Sequence, residues 1–274
     1  VSRSEKGLKD LTPLASKFSK KNTDRGKKVL VKTAKGRKLS STNWLRRQLN
    51  DPFVKLANQK GFRGRAAFKL IEIDEKYSIF KYGDTVIDLG AAPGSWSQVA
   101  VDKVNANKKA IHAKIGRVLG IDLKPVSPII GAEFHAFDFL EVGSYEKITE
   151  LLPEPVDVII SDMASNSTGH RKSDHLRIIA LCEAAAQFSF EQLKPGGNFV
   201  AKVLAGGAEM NLQTVLKSKF KRVANFKPKS SRSDSSEKYV VALDFQKNES
   251  STAIYSREKK QKKSIYESKQ NYAY

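Results

Sequence analysis

The run Val86-Ile-Asp-Leu-Gly-Ala-Ala-Pro-Gly-Ser-Trp96 constrains the fold more than any other stretch of the chain. Val86, Ile87 and Leu89 surround one acid, Asp88, in a short strand-like segment that ends in a Gly/Pro turn. A helix-like segment follows, from Trp96 to Val104. A buried strand that feeds a glycine turn and then a helix is how an α/β sheet presents backbone N–H groups to a ligand. Gly90 and Gly94 suit such a turn, because a Cβ there would fill ligand space or forbid the φ values it needs. The spacing is neither the dinucleotide fingerprint G-x-G-x-x-G nor a phosphate loop, since no Gly-Lys-Ser/Thr follows. Taken alone, D-x-G-x-x-x-G also fits an ordinary strand–turn–helix, and residues elsewhere must decide.

The remainder of the chain repeats the alternation. Residues 65–77 are helical in period, with Phe68, Ile71 and Tyr77 near one face. Strands are predicted at 84–89, 116–121, 132–137, 156–160, 197–203, 221–226 and 238–245, and helices at 95–106, 143–152, 174–193 and 208–219. That order predicts an α/β fold: a seven-stranded, mostly parallel sheet with one antiparallel edge strand and helices on both faces. The last two strands are joined by a polar loop, Lys227-Pro-Lys-Ser-Ser-Arg-Ser-Asp-Ser-Ser, with no helix between them. They are therefore expected to be antiparallel and to close one edge.

Charge points to the partner. Lys plus Arg number 49 against 29 acids, a formal net charge of +20, which suits a polyanion such as nucleic acid. Fifteen of those cations fall in the first 50 residues, against Glu5, Asp10 and Asp24. Residues 1–40 are read as a basic tail without enough apolar surface to fold alone, 41–248 as one domain, and 249–274 as a second basic, polar tail. No apolar run approaches the roughly 20 residues that span a bilayer, and no lipidation motif is present. Cys182 is the single cysteine and is expected to be a small buried apolar residue, as suits a reducing compartment. The four histidines lack metal-ligand spacing, so no metal is expected.

Ligands of open α/β sheets bind beyond the carboxyl ends of the strands. At those ends stand Gly90 to Trp96, then Asp122, suited to two ribose hydroxyls, then Asp138, suited to an adenine amino group with Phe137 and Phe139 flanking the ring. The fourth predicted strand ends at Asp162, and the fifth places Lys202 among apolar residues, where an idle lysine would be expelled. Lys69 lies on the early helix and Glu237 opens the last strand.

The turn 88–96 resembles the first motif of S-adenosylmethionine-dependent methyltransferases. Together with Ser161-Asp-Met-Ala and the set Lys69, Asp162, Lys202 and Glu237, it is similar to the FtsJ/RrmJ family of ribosomal RNA large-subunit 2′-O-ribose methyltransferases. Similarity runs from about Ser41 to Leu243 and includes Asn43-Trp-Leu-Arg-Arg-Gln and Phe62-Arg-Gly-Arg-Ala-Ala-Phe-Lys-Leu. Ser95 departs from the family's frequent second glycine, and Ser165 from a frequent proline. The resemblance implies a Rossmann-like methyltransferase domain that binds S-adenosyl-L-methionine through Gly90, Gly94, Trp96, Asp122, Asp138 and Asp162. It implies Lys202 as the base, Asp162 as its orienting partner, and Lys69 with Glu237 as the pair positioning the ribose and its phosphate. The substrate implied is a uridine in the peptidyl-transferase region of the assembled large subunit. A monomer in the cytoplasm or a mitochondrial matrix is expected. A non-catalytic RNA-binding assembly factor that keeps the fold is the alternative; loss of a tetrad residue would favour it, and all four are present.

Overall fold

The computed structural model of the chain describes residues 29–31, 36–152, 154–165, 170–205 and 209–247. Most of the N-terminal tail and the whole C-terminal tail therefore lie outside the described residues. The chain enters through α1 (Leu39–Asn50), α2 (Pro52–Lys60) and α3 (Ala66–Tyr77). There follow β1 (Thr85–Leu89), α4 (Ser95–Lys103), β2 (Arg117–Asp122), β3 (Ala132–Ala136), α5 (Ser144–Leu151) and β4 (Val156–Ser161). The last elements are α6 (Arg171–Gln192), β5 (Leu193–Leu204), α7 (Glu209–Lys219), β6 (Phe220–Phe226) and β7 (Glu237–Phe245).

The strands form a seven-stranded sheet in the order β3-β2-β1-β4-β5-β7-β6. Pairs from β3 through β5 are parallel, while β7 runs antiparallel to both β5 and β6. The antiparallel strand was expected at the edge, but it enters one place in, because β7 pairs with both β5 and β6 and leaves β6 outside it. This is the α/β class expected from the alternation, in the Rossmann-like form that the resemblance implies. β5 starts earlier than the predicted 197–203 and takes in Pro195 and Gly196, and its register against β4 shifts between Val156 and Val158.

Helices α1 and α2 were not expected. The signals for α2 are present: Asp51 caps it by accepting the Phe53 N–H at 3.0 Å, and Pro52 occupies the first helical position. In α1 the polar stretch Ser40-Ser41-Thr42-Asn43 hides a short apolar spacing at Leu45 and Leu49.

Period-two alternation divides the sheet into two faces. Ile87, Leu89, Ile159, Phe199, Ala201, Val240 and Ala242 join the core under α5, α6 and α7. Val86, Val158, Ile160, Val200, Tyr239 and Val241 join the core under α3 and α4. Cys182 is buried in the first of these cores, as expected. The same alternation puts Asp88, Lys202 and Tyr239 on the α3/α4 face, in step with Val86, Val200 and Val241. Because β7 runs backwards, its first residue, Glu237, reaches the carboxyl ends of the parallel strands and pairs in register with Leu204. No helix among the described residues is long and apolar enough to cross a membrane.

Candidate active site

Four charged side chains, from α3, β5, β7 and the residue that follows β4, meet at the carboxyl end of the sheet. Lys202 of β5 places Nζ 3.0 Å from Asp162 Oδ1 and 2.7 Å from the Asp162 backbone oxygen. Its side chain is 9 % exposed, so the ammonium group is held in place by these contacts instead of reaching for water. Lys69 of α3 places Nζ 2.7 Å from Glu237 Oε1. Between the two pairs stands Tyr239, fully buried, which donates its hydroxyl to Asp162 Oδ1 at 2.9 Å. Lys202 and Tyr239 are direct cross-strand neighbours, and Lys69 Nζ lies over the Tyr239 ring at 5.8 Å. The expected tetrad is brought together as two linked ion pairs, and Tyr239 is the member that sequence reading missed. Its signal was available: it stands two residues beyond Glu237, hence on the same face of the strand.

The electrostatics follow from burial and sign. Burial pushes the Asp162 carboxyl up, but the Lys202 and Lys69 cations, with hydrogen bonds from Lys202 and Tyr239, outweigh it and hold the acid below its ordinary value. Burial first, then the Asp162 and Glu237 carboxylates, push the Tyr239 phenol well above its ordinary value, so it remains a donor.

The glycine turn sits beside this cluster. Gly90 has φ +78°, and a Cβ on it would come within 2.8–2.9 Å of Met163, the residue after Asp162. Gly94 has φ +107° and caps α4, and its Cβ would strike the Arg63 guanidinium, Ile129 and Val126. Both positions therefore require glycine for conformation and for space. Between them lies a cis Ala92–Pro93 bond. Arg63 ties the turn to the β2–β3 loop by donating to Pro93 O at 3.0 Å, Ser127 O at 2.7 Å and Pro128 O at 2.8 Å.

Asp122 ends β2 as expected, and both its oxygens accept backbone N–H groups, from Ala92 at 2.9 Å and from Lys124 at 2.8 Å. Each carboxylate oxygen keeps a further acceptor position. Asp138 is exposed beyond β3 and accepts the Leu140 N–H at 2.9 Å. Its neighbours correct one expectation. Phe139 is buried against Tyr145 and Phe188, with centroids at 5.3 and 5.5 Å, so core packing removes it from any adenine ring. Trp96 is buried as well, its indole N–H bonded to Ala66 O at 2.9 Å and its ring 5.4 Å from Tyr239. Its side chain braces α3 and β7 from below the turn.

The residues present fit a cationic methyl donor. Asp88 is wholly buried and bonded to the Ser97 hydroxyl at 2.6 Å, yet its Oδ1 has no partner. Burial, reinforced by the Asp162 and Asp122 carboxylates, pushes Asp88 up to about 7. Asp162 is neutralised by Lys202, but Asp122 has no ion-pair partner among the described residues and Asp88 would be ionised by a nearby cation, so the turn suits a positively charged ligand. The Ser95 hydroxyl, buried at the start of α4, likewise has no partner.

Residues 62–245 match the FtsJ-like methyltransferase family. The chain belongs to that family. A protein of Ruegeria pomeroyi named ribosomal RNA large subunit methyltransferase E is 59 % identical over 231 residues, covering 83 % of this chain and 99 % of the relative. A Rickettsia akari protein of the same name is 51 % identical over 219 residues, covering 80 % and 95 %. Among solved structures, a Plasmodium falciparum protein assigned as a ribosomal RNA methyltransferase superposes with a TM-score of 0.59 at 31 % identity, covering 67 % of this chain and 98 % of that one. For an FtsJ-like methyltransferase, the departure at Ser95 adds an unpaired hydroxyl at the glycine turn and leaves the charged cluster unaltered.

Proposed function

We propose that the protein methylates ribose 2′-hydroxyls of large-subunit ribosomal RNA, with S-adenosyl-L-methionine as donor and a uridine in the peptidyl-transferase region of the assembled subunit as target. The observation that carries this reading is the pairing of Lys202 with Asp162 and of Lys69 with Glu237 around Tyr239, beside the turn 88–96. The names of the relatives and the +20 charge support the RNA substrate.

S-adenosylmethionine, when bound, supplies an activated methyl group and the leaving group that accepts its electrons. Gly90, Gly94, Asp122, Asp138 and Asp162 would hold it, with Trp96 and Ser95 in support. The protein must align the acceptor hydroxyl and remove its proton, since an alcohol is a weak nucleophile near neutral pH. Lys202 is suited to the second task. In the ion pair Nζ is an ammonium with three N–H bonds, two of which Asp162 accepts through Oδ1 and its backbone oxygen, and it serves as the base once its third proton has left to solvent. The lone pair is then left for the hydroxyl proton. Asp162 fixes the direction of Nζ, and Tyr239 fixes Asp162. The Lys69–Glu237 pair positions the ribose and its phosphate.

The test is to map 2′-O-methyl groups on large-subunit RNA from cells with and without the protein. One methyl lost without it and restored by purified protein on isolated large subunits is the expected result. Unchanged methylation would sink the reading.

A further inference from the structure

A cavity of about 300 Å³ opens beside Lys69 and Glu237, and Arg47 of α1, Arg65 at the N-cap of α3 and Arg232 of the β6–β7 loop line it. Lys69 and Glu237 neutralise one another at 2.7 Å, which leaves the arginines to set the charge of the wall. Two of them, Arg65 and Arg232, are held by one acid. Asp51, its side chain 7 % exposed, accepts Arg65 Nη1 and lies 3.4 Å from Arg232 Nε, while its other oxygen caps α2. Arg65 also donates Nη2 to Ser230 O, and its Nε is buried with no partner. Burial, above all, lowers the Arg65 guanidinium from its ordinary value; Asp51 opposes this and Arg232 adds to it. Arg47 is exposed and has no carboxylate within ion-pair distance among the described residues. Three guanidiniums thus face two carboxylates, Asp51 and the lining Asp234, and the set keeps a positive surplus.

We propose that this cavity is a phosphodiester subsite in which Arg47, Arg65 and Arg232 grip the backbone next to the acceptor ribose, and that Asp51 is the positioning residue that sets two of the three. The inference rests on the RNA reading above. Planar guanidiniums match phosphate oxygens in a way that flexible ammonium groups do not, and a ribose in RNA brings a phosphodiester on either side of it. Asp51 joins the start of α2, the start of α3 and the β6–β7 loop, so one carboxylate fixes the spacing of the clamp from three elements.

The experiment uses the full chain. Steady-state methylation of undermethylated large ribosomal subunits should show KM raised roughly tenfold in Arg47→Gln and Arg232→Gln, with kcat nearly unchanged. Asp51→Asn should raise KM likewise, and Asp51→Glu should restore part of the loss. Arg47 is exposed on a helix surface, so its substitution leaves the fold intact. In parallel, binding of a short oligouridylate is compared with one whose backbone is neutral methylphosphonate. The native protein should prefer the charged backbone, Arg47→Gln should lose most of that preference, and the slope of log affinity against log salt should fall by about 0.7 per lost contact. KM unchanged in both arginine variants, or a loss confined to kcat, overturns the subsite while methylation by the native protein leaves the functional reading standing. Should the native protein methylate no RNA, that reading falls, and the oligouridylate titration alone decides the subsite. An Arg47-dependent preference for charge supports it, and equal binding of the two backbones overturns it.

Discussion

At the scale of the residue, two buried groups make opposite demands. Lys202 sits where only a paired lysine survives, with Asp162 as its partner. Lys202→Ala should abolish methyl transfer while thermal unfolding and donor affinity stay close to native. Lys202→Arg should be nearly as inactive, because a guanidinium keeps the charge but cannot give up its proton. An arginine variant that retains most of the activity would make Lys202 an electrostatic stabiliser and move the base elsewhere. Asp88 is the converse case, a lone acid raised to about 7 by burial and by two neighbouring carboxylates. Its folded value lies above its unfolded one, so the stability it contributes is complete below about pH 4 and is lost as pH rises through 7. The change is on the order of 4 kcal/mol, at about 1.4 kcal/mol per unit. Asp88→Asn should therefore gain on the native protein in melting temperature between about pH 5 and pH 8. Parallel melting curves would show that Asp88 does not titrate in this range. A cationic donor also favours the ionised acid, so its affinity for the native protein should rise over the same interval, as calorimetry would read.

At the scale of the element, the β6–β7 loop does what its composition hides. Nine polar residues and one proline read as a solvated connection, yet Ser230 is fully buried and the Lys229 and Ser230 N–H groups donate to Glu72 of α3 at 2.6 and 2.8 Å. Ser231 adds a hydrogen bond to Glu237 at 3.0 Å. The loop is a wall of the site, docked on the helix that carries Lys69. Glu72→Ala leaves one buried and one part-buried backbone donor unpaired and should cost about 2 kcal/mol in urea unfolding, with KM for the RNA substrate raised as well. An unchanged unfolding midpoint would mean that water replaces Glu72 and that the loop is not held. The contrast explains how much could be read in advance. Strand patterning is local: the apolar runs of β1, β4 and β5 announce both the sheet and its two faces, and with them the direction of Lys202. The pairing of Asp162 with Lys202 follows from adjacent parallel strands. What could not be read is long-range and polar. Glu72 meets a loop 157 residues away, and Asp51 gathers Arg65 and Arg232 from distant segments. No period in the sequence marks such meetings. The missed helices are a different failure, since Asp51-Pro52 is a helix start that composition overshadowed.

At the scale of the whole molecule, charge and chemistry are separated along the chain. The first 38 residues hold 13 Lys or Arg and three acids, about half of the net +20, while the described tetrad is two neutralised pairs. A site that must align one hydroxyl gains little from a field at long range, whereas capture of a polyanion gains both rate and affinity. The described domain keeps its own basic ground in Arg47, Arg65 and Arg232, so the two sources of charge can be tested apart. Deleting residues 1–38 should weaken RNA binding and flatten the slope of log affinity against log salt, because fewer counterions are released. Donor affinity and kcat at saturating substrate should stay near native, since Lys69, Asp162, Lys202 and Glu237 lie within the retained domain. The measurement is a salt titration of binding for the full and shortened chains, with kcat taken in each. An identical slope in both would confine RNA recognition to the domain and leave the tail no part in capture. A fall in kcat with an unchanged slope would instead tie the tail to the chemistry, which the separation of charges argues against.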